Sequence, residues 1–365
     1  MKGFTTPEDL TARPEAYVKV TGQEIRRIVT LRSSGSTGSA KRLFFTAGDL
    51  ERTVEFFRSG MGFICRPGDR VAACIGTLSP DGVGRLLEEG LRRLGAEPLL
   101  LGAVQDYGET VSALRSFRPH TIVGLPVQIR RLCLLAPELR PRTVLISGDY
   151  PAESLRHTLE RVWGCAVFDH YGMTESGLGF AVQCPALEGR HVRGDELRVE
   201  IVEPGTDRVL PVGEWGEIVF TTLRREAMPL ERYRTGDYGR LLPGVCSCGY
   251  TGQRLDRVLG RLTERAKPVS IYTLDEALLG WDALYDYAAS LEGERLRLCL
   301  DLAEGHSPEE ALPLLEGLWP PDRLDLETGT VSPGAAKRAV RIPDLPPQPG
   351  PVRPGEPPVF TAEDR

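Results

Sequence analysis

The chain has no run of eighteen or more apolar residues, so it offers no helix able to span a bilayer. It has no basic excess either: 45 Lys and Arg stand against 51 Asp and Glu, a net charge of −6. That speaks against a nucleic-acid partner, which is normally met by a basic stripe. The opening residues, MKGFTTPEDL, carry no apolar core of a secretory signal. Eight cysteines in such a chain read as thiols or metal ligands of a cytoplasmic protein, not as a disulfide framework. There is no Gly-x-Ser-x-Gly elbow and no His-Glu-x-x-His pair, so serine-hydrolase and zinc-protease chemistry have no residues to rest on. No internal repeat is visible.

What is present is 365 residues at 41% hydrophobic composition, enough for a large core and two domains. Residues 46–63 have helical apolar spacing, with Thr46 or Asp49 as the cap. DRVAACIG is a short apolar strand, RLLEEGLRRLG an amphipathic helix, EPLLLG a strand. HTIVGLP and RTVLISG are further apolar runs, SLRHTLERVWG a helix, and CAVFDHYG a strand entering a polar loop. Short apolar strands alternating with helices predict a parallel, helix-covered sheet. From 196 to 240 the pattern turns antiparallel, in ELRVEIVEP and GEIVFTTL. A second unit starts near residue 262: VSIY as strand, TLDEALLGW as helix, a long strand region to ERLRLCLDL, SPEEALPLLEGLW as helix, then DRLDLE. The fold expected is therefore α/β. A large N-terminal body (1–261) has parallel sheets, helices and a smaller β-rich part. A small α+β C-terminal unit (262–342) and a proline-rich tail (343–365) follow.

The segment SSGSTGSAK (33–41) is small, polar and ends in a lysine. Backbone N–H groups of such a turn form a nest for an anion, and its hydroxyls and lysine add donors. Its spacing is not the Walker pattern. A solvated surface loop is the plainer reading of this segment taken alone.

Other segments follow in order: LISGDYPAESLR (145–156), HYGMTESG (170–177), ERYRTGDYGRL (231–241), CSCGYTGQRLDRVLGR (246–261) and GAAKRAVR (334–341). Together with the loop they resemble the adenylate-forming superfamily of acyl- and aryl-CoA ligases, adenylation domains and luciferases, and within it the phenylacetate-CoA ligase branch. The resemblance implies a carboxylic acid activated by ATP and Mg²⁺ to an acyl-adenylate and passed to CoA, with AMP released. A carrier protein or an amine is an alternative acceptor, and a nucleotide- or acyl-binding protein that has lost the chemistry is a third reading. The resemblance implies that Ser33, Ser34, Gly35, Ser36, Thr37, Gly38 and Lys41 hold the β- and γ-phosphates. It implies that Glu175 binds Mg²⁺, Thr174 donates to the α-phosphate and Tyr171 flanks the adenine. Gly148 would let the adenine lie on the backbone, Asp237 would take the ribose hydroxyls, and Arg261 would touch the nucleotide. Lys337 resembles the superfamily's late catalytic lysine, with Arg338 and Arg341 as rival cations and a solvated basic turn as the plain reading. Singly, Tyr171 reads equally as a core aromatic, Asp237 as a turn carboxylate and Glu175 as a helix cap; the ordered set carries the signal. The small unit would be a mobile lid hinged over Gly260 to Lys267, although Pro268 stiffens that hinge.

Cys184, His191, Cys246 and Cys248 form a second constellation: three thiolates and an imidazole suit a closed structural Zn²⁺ site. Inert buried cysteines and a surface histidine are the alternative. Cys65, Cys74, Cys133, Cys165 and Cys299 sit in apolar patterns and read as core, and His170 is placed to line an acyl pocket. A homodimer is left open.

Overall fold

The structure, a computed structural model, describes residues 3–32, 40–76, 82–332 and 338–342. Ser33, Ser34, Gly35, Ser36, Thr37 and Gly38 of the expected phosphate loop, Lys337, and the proline-rich tail lie outside the described residues. Helix α1 (Pro7–Ala12) leads to an antiparallel pair, β1 (Ile25–Arg32) and β2 (Ala40–Thr46). Helix α2 (Ala47–Met61) follows at once. Thr46 accepts its Asp49 N–H, and the Asp49 carboxylate answers the Thr46 N–H, a reciprocal cap.

Alternation then sets in: β3 (Arg70–Cys74), α3 (Val83–Leu94), β4 (Glu97–Leu100), α4 (Tyr107–Phe117), β5 (Thr121–Gly124), α5 (Pro126–Leu135), β6 (Thr143–Ser147), α6 (Glu153–Trp163) and β7 (Ala166–Tyr171). The five strands lie parallel in the order β4-β3-β5-β6-β7. Their side chains alternate between two cores, as the strand period of two requires. Val71, Ala73, Val123, Leu145 and Phe168 face the cluster of α2 and α3. Ala72, Cys74, Ile122, Val144, Ile146 and Val167 face α4, α5 and α6.

The sheet is extended antiparallel by β8 (Ala181–Gln183) and β9 (Arg190–Val192). A separate antiparallel sheet holds β10 (Leu197–Val202), β11 (Gly216–Thr222) and β12 (Tyr233–Gly239). Two short strands, β13 (Leu241–Leu242) and β14 (Arg254–Leu255), return to the large sheet, where β14 pairs with β9. This is the α/β body with a β-rich part that the patterning anticipates.

The C-terminal unit holds α7 (Leu262–Arg265), α8 (Ile271–Leu278), the antiparallel pair β15 (Leu284–Glu292) and β16 (Arg295–Leu302), α9 (Leu312–Leu315) and β17 (Leu324–Thr328), which lies parallel to β16. Two local expectations fail here. VSIY is not a strand, because Ser270 accepts the Thr273 N–H and caps α8 at Ile271. SPEEALPLLEGLW gives only a 3₁₀ turn and the four-residue α9, because the chain carries Pro313 and turns at Gly317, where φ is +77°. The unit packs on α5 and α6, and its Leu274, Leu278, Leu284 and Leu298 belong to the same apolar cluster as Leu155, Leu159 and Trp163 of the body. Among the described residues no helix is long and apolar enough to cross a membrane.

Candidate functional site

In open parallel sheets, ligands bind beyond the carboxyl ends of the strands, where loops carry side chains over the sheet edge. Here the ends of β6 and β7 open into a cleft lined by Gly148, Tyr150, Tyr171, Asp237, Arg261 and Tyr272. Gly148 takes φ +91°, which a side chain would strain, so the chain bends away and leaves its backbone bare to the cleft. Asp237, on β12, is 3% exposed. Its carboxylate accepts the Tyr171 hydroxyl at 2.6 Å and pairs with Arg261 Nε at 2.9 Å. Arg261 also donates to the Thr235 carbonyl at 2.6 Å, which fixes the guanidinium in place. Burial, with the Asp237 charge beside it, holds the Tyr171 phenol protonated, well above its ordinary range. The result is a buried anionic acceptor with two fixed donors at the rim of a flat slot.

Beside this slot, two residues 134 positions apart meet. Lys41, at the start of β2, forms an ion pair with Glu175, which stands in a single 3₁₀ turn (Thr174–Ser176) just after β7. Tyr233 donates to the same carboxylate at 3.1 Å, and its hydroxyl lies 3.4 Å from Lys41 Nζ. Burial works against the Glu175 charge, but Lys41, together with a backbone N–H and the Arg261 charge, holds the carboxyl below its usual range. A hard, ionised oxygen ligand is what Mg²⁺ takes, so Glu175 fits the expected metal role.

On the other side of the same wall is an apolar pocket of about 210 Å³. Phe56, Phe57, Met61, Val123, Leu145 and Val182 are among its lining residues, and Thr174 stands at its edge. His170 and Gly172 line both this pocket and the cleft. His170 Nδ1 lies 2.8 Å from Ser147 Oγ. Burial pushes the imidazole down to about 4, so it is neutral at neutral pH.

The sulfur constellation also assembles. The ligand atoms of Cys184, His191, Cys246 and Cys248 all lie within 4.8 Å of one another. Cys184 follows β8, His191 stands in β9, and the other two lie in the turn that leads to β14, which pairs with β9, so strand register brings them together. Cys184 and Cys246 sulfurs are 3.7 Å apart. A tetrahedral zinc with bonds of ~2.3 Å has S···S edges of about 3.8 Å, so the donor set fits. His191 Nε2 is 3.6 Å from Cys248 Sγ. Burial raises the Cys184 thiol to about 11; burial also works against the Cys246 thiolate, but the Cys248 N–H together with the Cys248 and Cys184 thiols brings Cys246 below its ordinary value. Cys65, Cys74, Cys133 and Cys165 are buried in the cores, and burial raises each thiol to about 12. Cys299 is only half-buried, on β16.

Three contributors escape the sequence reading. Asp169 and Arg190 form a buried ion pair that lines the cleft. Tyr272 reaches it from the C-terminal unit. Arg190 adjoins the candidate ligand His191, and that adjacency is the one signal that could have drawn attention to it.

The AMP-binding enzyme family matches residues 27–223 of this chain, more than half its length. The chain belongs to that family. Among curated proteins, the chain is 31% identical over 280 residues to the phenylacetate-coenzyme A ligase of Pseudomonas putida, covering 73% of this chain and 61% of that one. It is 32% identical over 296 residues to the phenylacetate-coenzyme A ligase of Thermus thermophilus, covering 76% and 64%. The chain therefore spans under two thirds of the length of these relatives. Among solved structures, a 2-hydroxyisobutyryl-CoA ligase superposes with a TM-score of 0.75 at 21% identity, over 93% of this chain and 79% of that one. An anthranilate CoA ligase superposes at 0.59 and 16%, over 83% and 63%. Both support the adenylate-forming fold.

Proposed function

We propose that this AMP-binding enzyme activates a small carboxylic acid with ATP as the acyl-adenylate and passes the acyl group to CoA, releasing AMP. The observation that carries the reading is the shared wall: His170 and Gly172 border both a polar slot and an apolar pocket. An acid lying in the pocket would present its carboxylate to the α-phosphate of a nucleotide lying in the slot. The pocket size supports a single ring or a short branched chain, since an apolar cavity of about 150 Å³ already holds benzene.

In this reading a carboxylate oxygen forms the new bond to the α-phosphorus as the bond to pyrophosphate breaks. The protein contributes positioning and charge neutralisation. Asp237 accepts the ribose hydroxyls, Tyr171 flanks the base, and the bare backbone at Gly148 lets the base approach. Thr174 donates to the α-phosphate. Lys41, with the Ser33–Gly38 loop, takes charge on the leaving pyrophosphate, and Lys337 neutralises charge at the α-phosphate. Glu175 would hold Mg²⁺, which shields the phosphate oxygens when bound. Cys184, His191, Cys246 and Cys248 would hold a structural Zn²⁺ that ties the turn before β14 to the β8–β9 hairpin. The boundary between body and C-terminal unit falls at Arg261.

Pyrophosphate release across a panel of aryl and short branched acids, with and without CoA, tests the proposal. Release with CoA thioester formed supports it. Release without thioester moves the acceptor to an amine or a carrier protein. No release with any acid leaves a nucleotide-binding protein without the chemistry.

A further inference from the structure

The apolar pocket has a polar end. Among the described residues, only Ser147, His170 and Thr174 bring side-chain nitrogen or oxygen to its lining. In the proposed reaction Thr174 serves the α-phosphate. Ser147 and His170 stand opposite each other, in register at the ends of β6 and β7. Ser147 shares its face of the sheet with Leu145, two residues earlier, which also lines the pocket. Ser147 lines the pocket and not the nucleotide cleft.

Burial fixes where the protons of this pair sit. It keeps the His170 imidazole neutral, so the ring carries one N–H. Nε2 is buried and has no hydrogen-bond partner among the described residues. The Gly172 backbone closes over it, so that a Cβ there would stand 3.2 Å away. Buried N–H groups without an acceptor are rarer in folded proteins than buried acceptors without a donor. The proton therefore belongs on Nδ1, which donates to Ser147 Oγ at 2.8 Å. Ser147 Oγ makes no other hydrogen bond to the described residues. One of its lone pairs is taken and its own proton is left over, in a pocket walled by hydrocarbon such as Phe56, Phe57 and Val123.

We propose that Ser147 is a specificity residue: its hydroxyl donates to an oxygen substituent of the acid, and His170 is the positioning residue that holds Oγ as an acceptor and so turns the hydroxyl proton into the pocket. The substrate class is then a small aryl or branched acid bearing a hydroxyl or oxo oxygen apart from its carboxylate. The assignment rests on the acid reading of the pocket. An unsubstituted acid would strip water from the Ser147 hydroxyl and press carbon against it, leaving a buried donor unmet. The pocket of about 210 Å³ has space for a ring with such a substituent, since about 150 Å³ already holds benzene.

Acid-dependent ATP–pyrophosphate exchange by the full chain, over matched acids, is the test. Phenylacetate is set beside mandelate and phenylglyoxylate, and benzoate beside its hydroxy isomers. At least one oxygenated acid should exceed its parent roughly 5- to 150-fold in kcat/KM, the range for leaving a buried donor unmet. In Ser147→Ala that ratio should collapse towards one, and Ser147→Thr should keep much of it. His170→Leu should lower the ratio, and His170→Asn, which can still donate to Oγ, should restore part of it. A wild type that uses the parent acids as well as every oxygenated partner overturns the proposal, and so does a ratio untouched by Ser147→Ala. An equal loss for parent and oxygenated acids in Ser147→Ala also overturns it, by making the hydroxyl a carboxylate contact. If the wild type activates no acid, the carboxylate reading fails by itself, and calorimetric binding of the same matched acids decides. Tighter binding of an oxygenated acid than of its parent, lost in Ser147→Ala, supports the specificity role; equal binding, or none, overturns it.

Discussion

Consider Asp237→Ala. The carboxylate takes two hydrogen bonds, from Tyr171 at 2.6 Å and from Arg261 at 2.9 Å. A bond to a charged group contributes about 1.5–3 kcal/mol. The Arg261 side chain is 39% exposed, so it regains water and its bond counts at or below the low end. Tyr171 is half-buried and lines the cleft, so losing its partner costs at the low end of about 1–3 kcal/mol. A stability loss of about 2–3 kcal/mol follows, short of unfolding most domains of this size. The nucleotide effect is separate. If the carboxylate accepts the ribose hydroxyls, ATP affinity falls by a further ~1.5–3 kcal/mol, roughly 10- to 150-fold. Calorimetric titration with ATP and with 2′,3′-dideoxy-ATP, at a temperature where both proteins are folded, isolates that part as a cycle. The wild type should prefer ATP, and Asp237→Ala should bind the two nucleotides alike. A variant that keeps the full wild-type preference would refute the ribose assignment, whatever its melting temperature does.

Elemental analysis should find about one zinc per chain, and chelation should lower the melting temperature; no zinc, together with an unaffected Cys246→Ser variant, would return these thiols to an inert role. His170 is held neutral down to about pH 4, below its ordinary value, so the unfolded chain binds a proton that the folded one refuses. Stability should therefore be lost as pH falls from about 6.5 to 4, by at most about 1.4 kcal/mol per pH unit from this group, and His170→Gln should flatten that part of a denaturant-measured profile. Arg338 is half-buried, pairs with the buried Asp275 and lies 3.2 Å from the buried Asp286, so Arg338→Ala strands two carboxylates and should destabilise by about 3 kcal/mol. Lys337→Ala should instead leave the melting temperature alone and slow single-turnover adenylate formation by orders of magnitude; equal adenylation rates would make the stretch a solvated turn.

The parallel sheet was legible because each strand is a short apolar run covered on both faces, a pattern that needs no partner to be recognised. Helix α5 was not isolated, because PVQIRRLCLL is buried nearly all round, Gln128 and Arg130 included, and its sequence shows no clear helical stripe. The VSIY segment looked like a strand by composition, and one serine cap overrode it. In the site, Tyr171, Glu175 and Asp237 were legible as ordered motifs, and the structure brings Tyr171 to Asp237 and Lys41 to Glu175. Tyr272 and the Asp169–Arg190 pair were not, because their significance lies in contacts between distant segments. Asp169 and Arg190 are 21 positions apart, and nothing local to either announces the other.

The cap on α6 comes from Glu276, 123 residues after the Glu153 amide it receives. A chain emerging from the ribosome makes that helix, and the apolar faces of α5 and α6, well before it makes their covering. At about 5–20 residues per second the gap lasts roughly 6 to 25 s. For that interval the body holds exposed leucines and an uncapped helix start, a surface that chaperones bind and nascent chains aggregate through. The last third of this protein therefore acts on the first two thirds as an internal folding partner. Variants that end near residue 261 should be found in inclusion bodies more often than as a free nucleotide-binding domain.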